Sequence, residues 1–254
     1  MALARTAIAR RRLLLVLQPQ RALSVARHVV PALQLVSGAC GLPHPQKRAT
    51  GGEDAWFIRG NTVGVADGVG GWARKGVDSG EYSRTLMSSA QSACAGSSTA
   101  CIVQLHDAAL RAINLGDSGF MLCRLQPGED GATAWRVVYE APNQSHYFNC
   151  PYQLGHGSNG DRPEQGKIIE LPTQEGDVIV LGTDGLFDNL FPAQIATLLD
   201  SVASCIAHTA HKSAKGTKTR TPFAEAAERA GYQYLGGKMD DITVIASLVA
   251  GREP

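Results

Sequence analysis

The chain has no acidic residue before Glu53, no CxxC pair, and no apolar run approaching the ~20 residues that a membrane-spanning helix requires. Its cysteines are scattered, at positions 40, 94, 101, 123, 150 and 205. That dispersal points to neither a disulfide framework nor a structural zinc site. No cysteine is followed six positions later by an arginine, so the nucleophilic cysteine loop CxxxxxR is excluded. Cys101 and Cys123 sit inside apolar runs and read as buried thiols.

What is present is ordinary in bulk, with 44% hydrophobic and 19% charged residues, as in a globular enzyme of one large domain. The formal net charge of +1 hides an asymmetry. Residues 1–34 hold six arginines (Arg5, Arg10, Arg11, Arg12, Arg21, Arg27) and no acid. The remainder carries 18 Lys+Arg against 23 Asp+Glu, a net −5. An acidic body is a poor match for nucleic acid, and no such partner is expected. The basic start, punctuated by Leu13–Leu17, has the composition of an organelle transit peptide. Arginines continue past the apolar stretch, at Arg21 and Arg27, which argues against a secretory signal. The mitochondrion is the expected destination and the plastid the alternative. A leader over 1–34 and one domain over 35–254 follow.

Residues 35–52 read as a connector around Leu42-Pro43-His44-Pro45. Strand-like runs then recur at Ala55–Arg59, Thr62–Ala66, Ser98–Leu105, Leu110–Leu115, Phe120–Leu125, Trp135–Tyr139, Lys167–Leu171, Asp177–Leu181 and Ile242–Val249. Three helices are expected. Glu81–Ala93 sets Tyr82, Leu86 and Ala90 at spacing four, and Pro192–Thr209 carries one apolar stripe from Ile195 to Ile206. Pro222–Ala230 opens on Thr221-Pro222 and stops at Gly231. Lys212–Arg220 reads as a solvated basic loop. Many short strands with few helices favour an α+β sandwich over a parallel α/β sheet.

The acids fall at strand mouths. Val63–Ala66 runs straight into Asp67-Gly68, and Val178–Thr183 into Asp184-Gly185. Asn114-Leu115 leads into Gly116-Asp117, and Lys238-Met239 into Asp240-Asp241 ahead of Ile242. Glu53-Asp54 stands just before Ala55-Trp56-Phe57. One Asp-Gly alone is usually a turn. Five acidic clusters at strand mouths can meet at one end of a sheet stack, where their repulsion calls for a cation. Hard ions such as Mg²⁺ and Mn²⁺ take oxygen ligands of this kind. Glycine after the aspartate lets the backbone approach closely and leaves its carbonyl unobstructed.

Six ordered motifs carry a family resemblance over about residues 35–250: Gly-Gly-Glu-Asp54-Ala, Ala-Asp67-Gly-Val-Gly-Gly-Trp, Gly96-Ser-Ser-Thr-Ala, Asn-Leu-Gly-Asp117-Ser-Gly, Gly-Thr-Asp184-Gly-Leu-Phe-Asp-Asn and Gly-Gly-Lys-Met-Asp240-Asp-Ile-Thr-Val. Together they resemble the PP2C-type (PPM) protein phosphatases, in particular the organelle-targeted PTC7-like branch. The resemblance implies an α+β fold, a sandwich of two antiparallel sheets flanked by helices, with two Mn²⁺ or Mg²⁺ ions at one end. It implies hydrolysis of phosphoserine and phosphothreonine in phosphoprotein substrates by a water activated between those ions, without a phosphoenzyme. A monomer is the expected form. Carried over motif by motif, Asp67 bridges both ions and Gly68 offers its carbonyl to one. Asp184 and Asp240 ligate the ion on the other side, and Glu53 and Asp54 hold waters of the metal shell. Asp117 resembles the carboxylate that, in some members, helps bind a third, weaker ion.

Three departures bear on this reading. Animal-type members place a proton-donating His directly after the Asp-Gly, where this chain has Val69, which leaves His146 as a candidate donor. The family's phosphate-binding Arg has only an offset counterpart in Arg48. The family's second helix, which runs back before the Gly-Ser-Ser-Thr-Ala strand, is missing between residues 93 and 96, so apolar sheet surface is expected to stand uncovered there. The alternative functions are a catalytically dead phosphoprotein-binding domain, which the presence of Asp67, Asp184 and Asp240 disfavours, and a two-metal hydrolase of small phosphoesters.

Overall fold

Period-two apolar patterning folds most of the chain into two stacked antiparallel sheets. The computed structural model describes residues 33–88, 96–128, 131–155, 160–199 and 203–251. The strands run in chain order as β1 (Leu33–Leu42), β2 (Asp54–Arg59), β3 (Thr62–Asp67), β4 (Ser97–Ser98), β5 (Ala100–His106), β6 (Ala109–Leu115), β7 (Gly119–Pro127) and β8 (Thr133–Glu140). The short β9 (Ser145–Tyr147), β10 (Cys150–Pro151) and β11 (Leu154–Gly155) follow, then β12 (Lys167–Pro172), β13 (Val178–Gly182) and β14 (Ile242–Gly251). One sheet has the order β1-β14-β13-β7-β8 and the other β12-β6-β5-β3-β2. The helices are α1 (Ser79–Ser88), α2 (Asp184–Phe187), α3 (Pro192–Thr197), α4 (Ala203–Ala214) and α5 (Pro222–Arg229).

Alternation along each strand sorts the core into layers. Phe120, Leu122, Ile179, Leu181 and Ile245 of the first sheet meet Val63, Val65, Cys101, Val103 and Leu110 of the second. The residues between them, Met121, Cys123, Val178, Val180 and Val244, face outward onto Leu186, Ile195, Ile206 and Ala210 of α2, α3 and α4. β13 is therefore buried on both faces, which is why its sequence is an unbroken apolar run. Each such side chain contributes roughly 1.5–3 kcal/mol by leaving water. Burial pushes the Cys101 thiol up, and burial with the nearby Asp177 charge pushes Cys123 up to about 12. Both cysteines are free and behave as core residues, as their sequence context implied.

Several elements differ from expectation. The first part of the connector is strand β1, paired with β14 along its whole length from Leu33↔Gly251 to Leu42↔Ile242. Gly38, Ala39 and Gly41 give it little apolar alternation, and cross-strand hydrogen bonding supplies what its sequence does not. Leu33 and Gln34 of the presumed leader belong to this strand; residues 1–32 lie outside the described residues. The stretch Pro192–Thr209 is not one helix: α3 ends at Thr197 and α4 starts afresh at Ala203. α4 runs on through Lys212 to Ala214, into the expected basic loop. α1 starts two residues before Glu81, and residues 89–95, where its end and the missing second helix were placed, lie outside the described residues.

Among the described residues, α1 covers the outer face of the second sheet by packing Met87 on Ala55 and Ala66. Ile102, Ile113 and Ile168 stand in one cross-strand row on that face, beyond β3. Ile168 is 80% exposed, while residues 89–95, on which the expectation of an uncovered face rests, lie outside the described residues. Among the described residues no helix is long and apolar enough to cross a membrane.

Candidate active site

Both sheets deliver acids to the same end of the sandwich. β2 and β3 form a hairpin over the two-residue turn Gly60-Asn61, in a register that sets Asp54 directly opposite Asp67. Asp184 follows β13, and Asp240 and Asp241 precede β14. Pairing of Gly182 with Val244 brings Thr183 beside Thr243, whose carbonyl accepts from the Thr183 N–H at 3.2 Å. The Thr183 hydroxyl then reaches across the sandwich and donates to Asp54 Oδ2 at 2.9 Å. Asp117 joins from the turn between β6 and β7.

Both Asp-Gly glycines are points of close approach. A Cβ on Gly68 would lie 2.3 Å from the Ser79 carbonyl oxygen, and one on Gly185 would lie 1.9 Å from that of Asp241. The Gly68 N–H donates to the Glu53 carbonyl at 3.0 Å, and the Ser83 hydroxyl bonds the same oxygen, so Glu53 is fixed between the hairpin and α1. Asp241 plays a supporting part: its carboxylate accepts the backbone N–H of Glu53 at 2.7 Å.

Glu53, Asp54 and Asp184 are buried, and Asp67, Asp117 and Asp240 are partly so. Burial, and then the charges of neighbouring carboxylates, push Asp54, Asp67, Asp117 and Asp240 above the usual carboxylate range. For Asp67, Asp117 and Asp240 the main neighbour is Asp184; for Asp54 it is Asp241. Asp184 would also rise by burial, but Lys238 and a hydrogen bond from Asp67 outweigh this and hold it low. Two ionised carboxylates cannot hydrogen-bond each other, so Asp67 and Asp184 can face one another only with a proton or a cation between them.

The buried oxygens Asp54 Oδ1, Asp117 Oδ1 and Asp184 Oδ1 have no hydrogen-bond partner. Three orphaned carboxylate oxygens converging from two sheets fit hard divalent cations. Among the described residues no group of three or more His, Cys, Asp or Glu side chains is placed to hold a metal ion as it stands. Two lysines take the spaces between the acids. Lys238 Nζ pairs with Asp184, with Asp188 at 3.0 Å and with Asp240 at 3.2 Å. Lys47 Nζ pairs with Glu53, with Asp241 at 3.4 Å and with Asp240 at 3.8 Å.

No family model matches the chain. Probable protein phosphatase 2C 55 of Arabidopsis thaliana is 46% identical over 253 residues, covering 86% of this chain and 52% of the relative. The protein phosphatase PTC7 homolog fig of Drosophila grimshawi is 33% identical over 252 residues, covering 78% of this chain and 79% of the relative. Among solved structures, the photosystem II phosphatase PBCP matches with a TM-score of 0.77 at 30% identity, covering 85% of this chain and 98% of that one. The chain belongs to the protein phosphatase 2C family. It spans about half the length of several curated relatives it matches.

Against the family pattern, the expected residues Glu53, Asp54, Asp67, Gly68, Asp117, Asp184 and Asp240 fall at one end of the sandwich. Arg48 does not join them: it is exposed and lies near His211, while the adjacent Lys47 enters the cluster. Val69 stands after the Asp-Gly, with its N–H bonded to the Ser97 carbonyl at 2.9 Å. His146 pairs with Asp161 at 3.0 Å and stacks on Tyr152. Sequence reasoning assigns no site role to Lys47 or Lys238, and it places Asp188, in the Asp184 motif, outside the ligand set. Asp188 is tied in through Lys238, and burial, with the Asp184 charge, pushes it up to about 7 against that lysine. The available signal was a lone lysine two residues before Asp240, in an otherwise acidic strand mouth.

Proposed function

We propose that this chain is a metal-dependent protein serine/threonine phosphatase, acting as a monomer on phosphoserine and phosphothreonine in phosphoprotein substrates. The observation that carries the reading is the cross-sheet carboxylate cluster with orphaned oxygens on Asp54, Asp117 and Asp184. In it Asp67, the Gly68 carbonyl, Asp184 and Asp240 would hold Mn²⁺ or Mg²⁺, two ions in all by the family resemblance. Glu53 and Asp54 would act through waters of the metal shell, and Asp117 would serve a weaker third ion. When bound, the ions activate water and neutralise charge on the phosphoryl group. Thr183 keeps Asp54 oriented from the opposite sheet, and Lys47, paired with Glu53 at the cluster, would offer its ammonium to the phosphoryl oxygens. Val69 has no proton to give, so the leaving oxygen must take its proton from water of the metal shell or from another residue.

The direct test is hydrolysis of a phosphoserine peptide by the full chain. Turnover is expected with added Mn²⁺, none with a chelator, and no response to thiol-alkylating agents. Turnover persisting through exhaustive chelation would refute the reading.

A pH dependence follows from the raised carboxyls. Groups whose native pKa is raised stabilise the fold below the ordinary Asp value and lose that contribution as pH climbs through the raised values. Asp184, held low, works in the opposite sense but is one group against five, Asp54, Asp67, Asp117, Asp188 and Asp240. The metal-free protein therefore loses stability from about pH 4 upward, and a divalent cation replaces the missing protons. Scanning calorimetry should find a larger gain in melting temperature on adding Mn²⁺ at pH 7.5 than at pH 5.5. Equal gains would show that the carboxyls are not the site of binding.

The same reading takes the basic start as a mitochondrial import signal ahead of a phosphatase domain whose first described strand begins at Leu33. A fluorescent fusion of residues 1–40 is expected to concentrate in mitochondria and to be shortened there. Accumulation in plastids would favour the alternative destination, and a diffuse cytosolic signal would remove the import reading.

A further inference from the structure

A cavity of about 530 Å³ opens beside α5, lined by Arg220, Glu225, Glu228, Tyr232, Tyr234 and Leu235 among others. Tyr232 and Leu235 are 60% and 73% exposed, which is far from their usual place in a fold. They do not belong to a slack loop. Tyr232 stacks on Phe148 at 5.1 Å between ring centres, and its N–H bonds the Ala227 carbonyl at 2.8 Å. Tyr234 meets the Phe223 ring edge-on at 5.0 Å and donates its hydroxyl to the Gly237 carbonyl at 2.9 Å. The apolar wall is thus held in shape by a four-ring cluster of Phe148, Phe223, Tyr232 and Tyr234.

One ring links the wall of this cavity to the acidic site. Lys238, whose Nζ joins Asp184, Asp188 and Asp240, lies 5.4 Å from the centre of Phe223, and Phe223 in turn carries Tyr234. Tyr234 is therefore within about 10 Å of the ammonium, a span that an extended peptide covers in about three residues at ~3.3 Å each. The charged rim is self-satisfied: Arg220 pairs with Glu225 at 2.7 Å and with Glu228 at 3.9 Å, and Arg229 approaches Glu225 at 3.7 Å. With the charges so matched, the apolar floor is left to discriminate among occupants.

Resting on the phosphatase reading above, we propose that this cavity is a substrate subsite that takes a bulky apolar side chain about three residues from the phosphorylated serine. Tyr232 and Leu235 are then specificity-determining residues that touch the flank of the substrate and not the reacting phosphate. Burying one leucine-sized side chain in such a pocket is worth about tenfold in kcat/KM.

The test uses the full chain with Mn²⁺ and two sets of phosphoserine peptides, carrying either leucine or serine at the third position on each side. p-Nitrophenyl phosphate, which has no flank, serves as the reference substrate. The expected result is an approximately tenfold higher kcat/KM for one leucine peptide. Leu235→Ser and Tyr232→Ser should abolish that preference through KM, leave kcat unchanged, and leave p-nitrophenyl phosphate hydrolysis as it was. Equal kcat/KM for leucine and serine peptides in the parent protein would overturn the proposal. So would a parallel loss on p-nitrophenyl phosphate, which marks a structural role. Size-exclusion chromatography separates a further case: a dimer that Leu235→Ser dissociates means that a second copy occupies the cavity, and the proposal falls. If the parent protein hydrolyses nothing, p-nitrophenyl phosphate included, the phosphatase reading itself fails and takes the subsite with it.

Discussion

Asp67→Asn is expected to remove phosphopeptide turnover by at least about 10³-fold, or ~4 kcal/mol of transition-state stabilisation. The reason lies in its position. Asp67 stands opposite Asp54 on its own sheet and faces Asp184 from the other, so its two oxygens are the junction between the halves of the cluster. An amide keeps the volume but offers one weak acceptor and an N–H aimed at a cation. Asp184→Asn should lower Mn²⁺ affinity and activity together, because Asp184 carries both an orphaned oxygen and the Lys238 contact. Asp188→Asn should cost less, of the order of 10–100-fold, since Asp188 acts through Lys238. Calorimetric Mn²⁺ titration beside steady-state kinetics checks the ordering. Equal losses at all three positions would mean that the cluster is one electrostatic unit and that ligands are not distinct from their supports.

Arg124→Met should be the most damaging change away from the site. Arg124 donates from Nε and from its terminal nitrogen to the two oxygens of Asp177, at 2.6 and 2.8 Å. Asp177 is fully buried and also accepts from the Thr173 hydroxyl and the Gln174 N–H. Methionine fills the space but leaves a buried carboxylate without its counter-charge, at a cost toward the lower end of ~3–5 kcal/mol because Arg124 is itself partly exposed. At about 2–4 °C per kcal/mol for a protein of this size, a fall of roughly 6–12 °C in melting temperature follows. Asp177 lies at the end of β13 away from Asp184, so kcat per folded molecule should not change. Arg124→Lys, which keeps the charge and loses the fork, should fall in between. A Met variant within 2 °C of the parent would show that the pair contributes little.

Sequence reasoning reached the strands that carry chemistry because their patterning and their acids point the same way. Val63–Ala66 before Asp67 and Val178–Gly182 before Asp184 combine buried apolar runs with a charge that no core accepts. β1 was hidden for the opposite reason: its central residues are small and it is held by ten paired positions of β14, a long-range bond pattern that local composition does not encode. The apolar stripe of Pro192–Thr209 was read correctly as a buried face, yet a stripe does not register the break between α3 and α4. Lys47 and Lys238 were invisible for a subtler cause. A lysine is a surface residue by default, and only the convergence of two sheets makes these two counter-charges of a buried acidic cluster.

The hairpin turn at Gly60-Asn61 sets a constraint of its own. Exposed two-residue turns usually tolerate an added residue, but this one is a length gauge. Asn61 is clamped from the other sheet, accepting the Leu35 N–H at 3.0 Å and donating to the Leu33 carbonyl at 3.3 Å, while its own carbonyl takes the Leu105 N–H at 2.8 Å. Adding one residue would advance β3 by one step against β2, turn the Asp67 side chain to the opposite face, and set Ala66 in the place beside Asp54. The number of residues between Asp54 and Asp67 is thus under the same constraint as the two aspartates themselves, and variation in chain length belongs outside that interval.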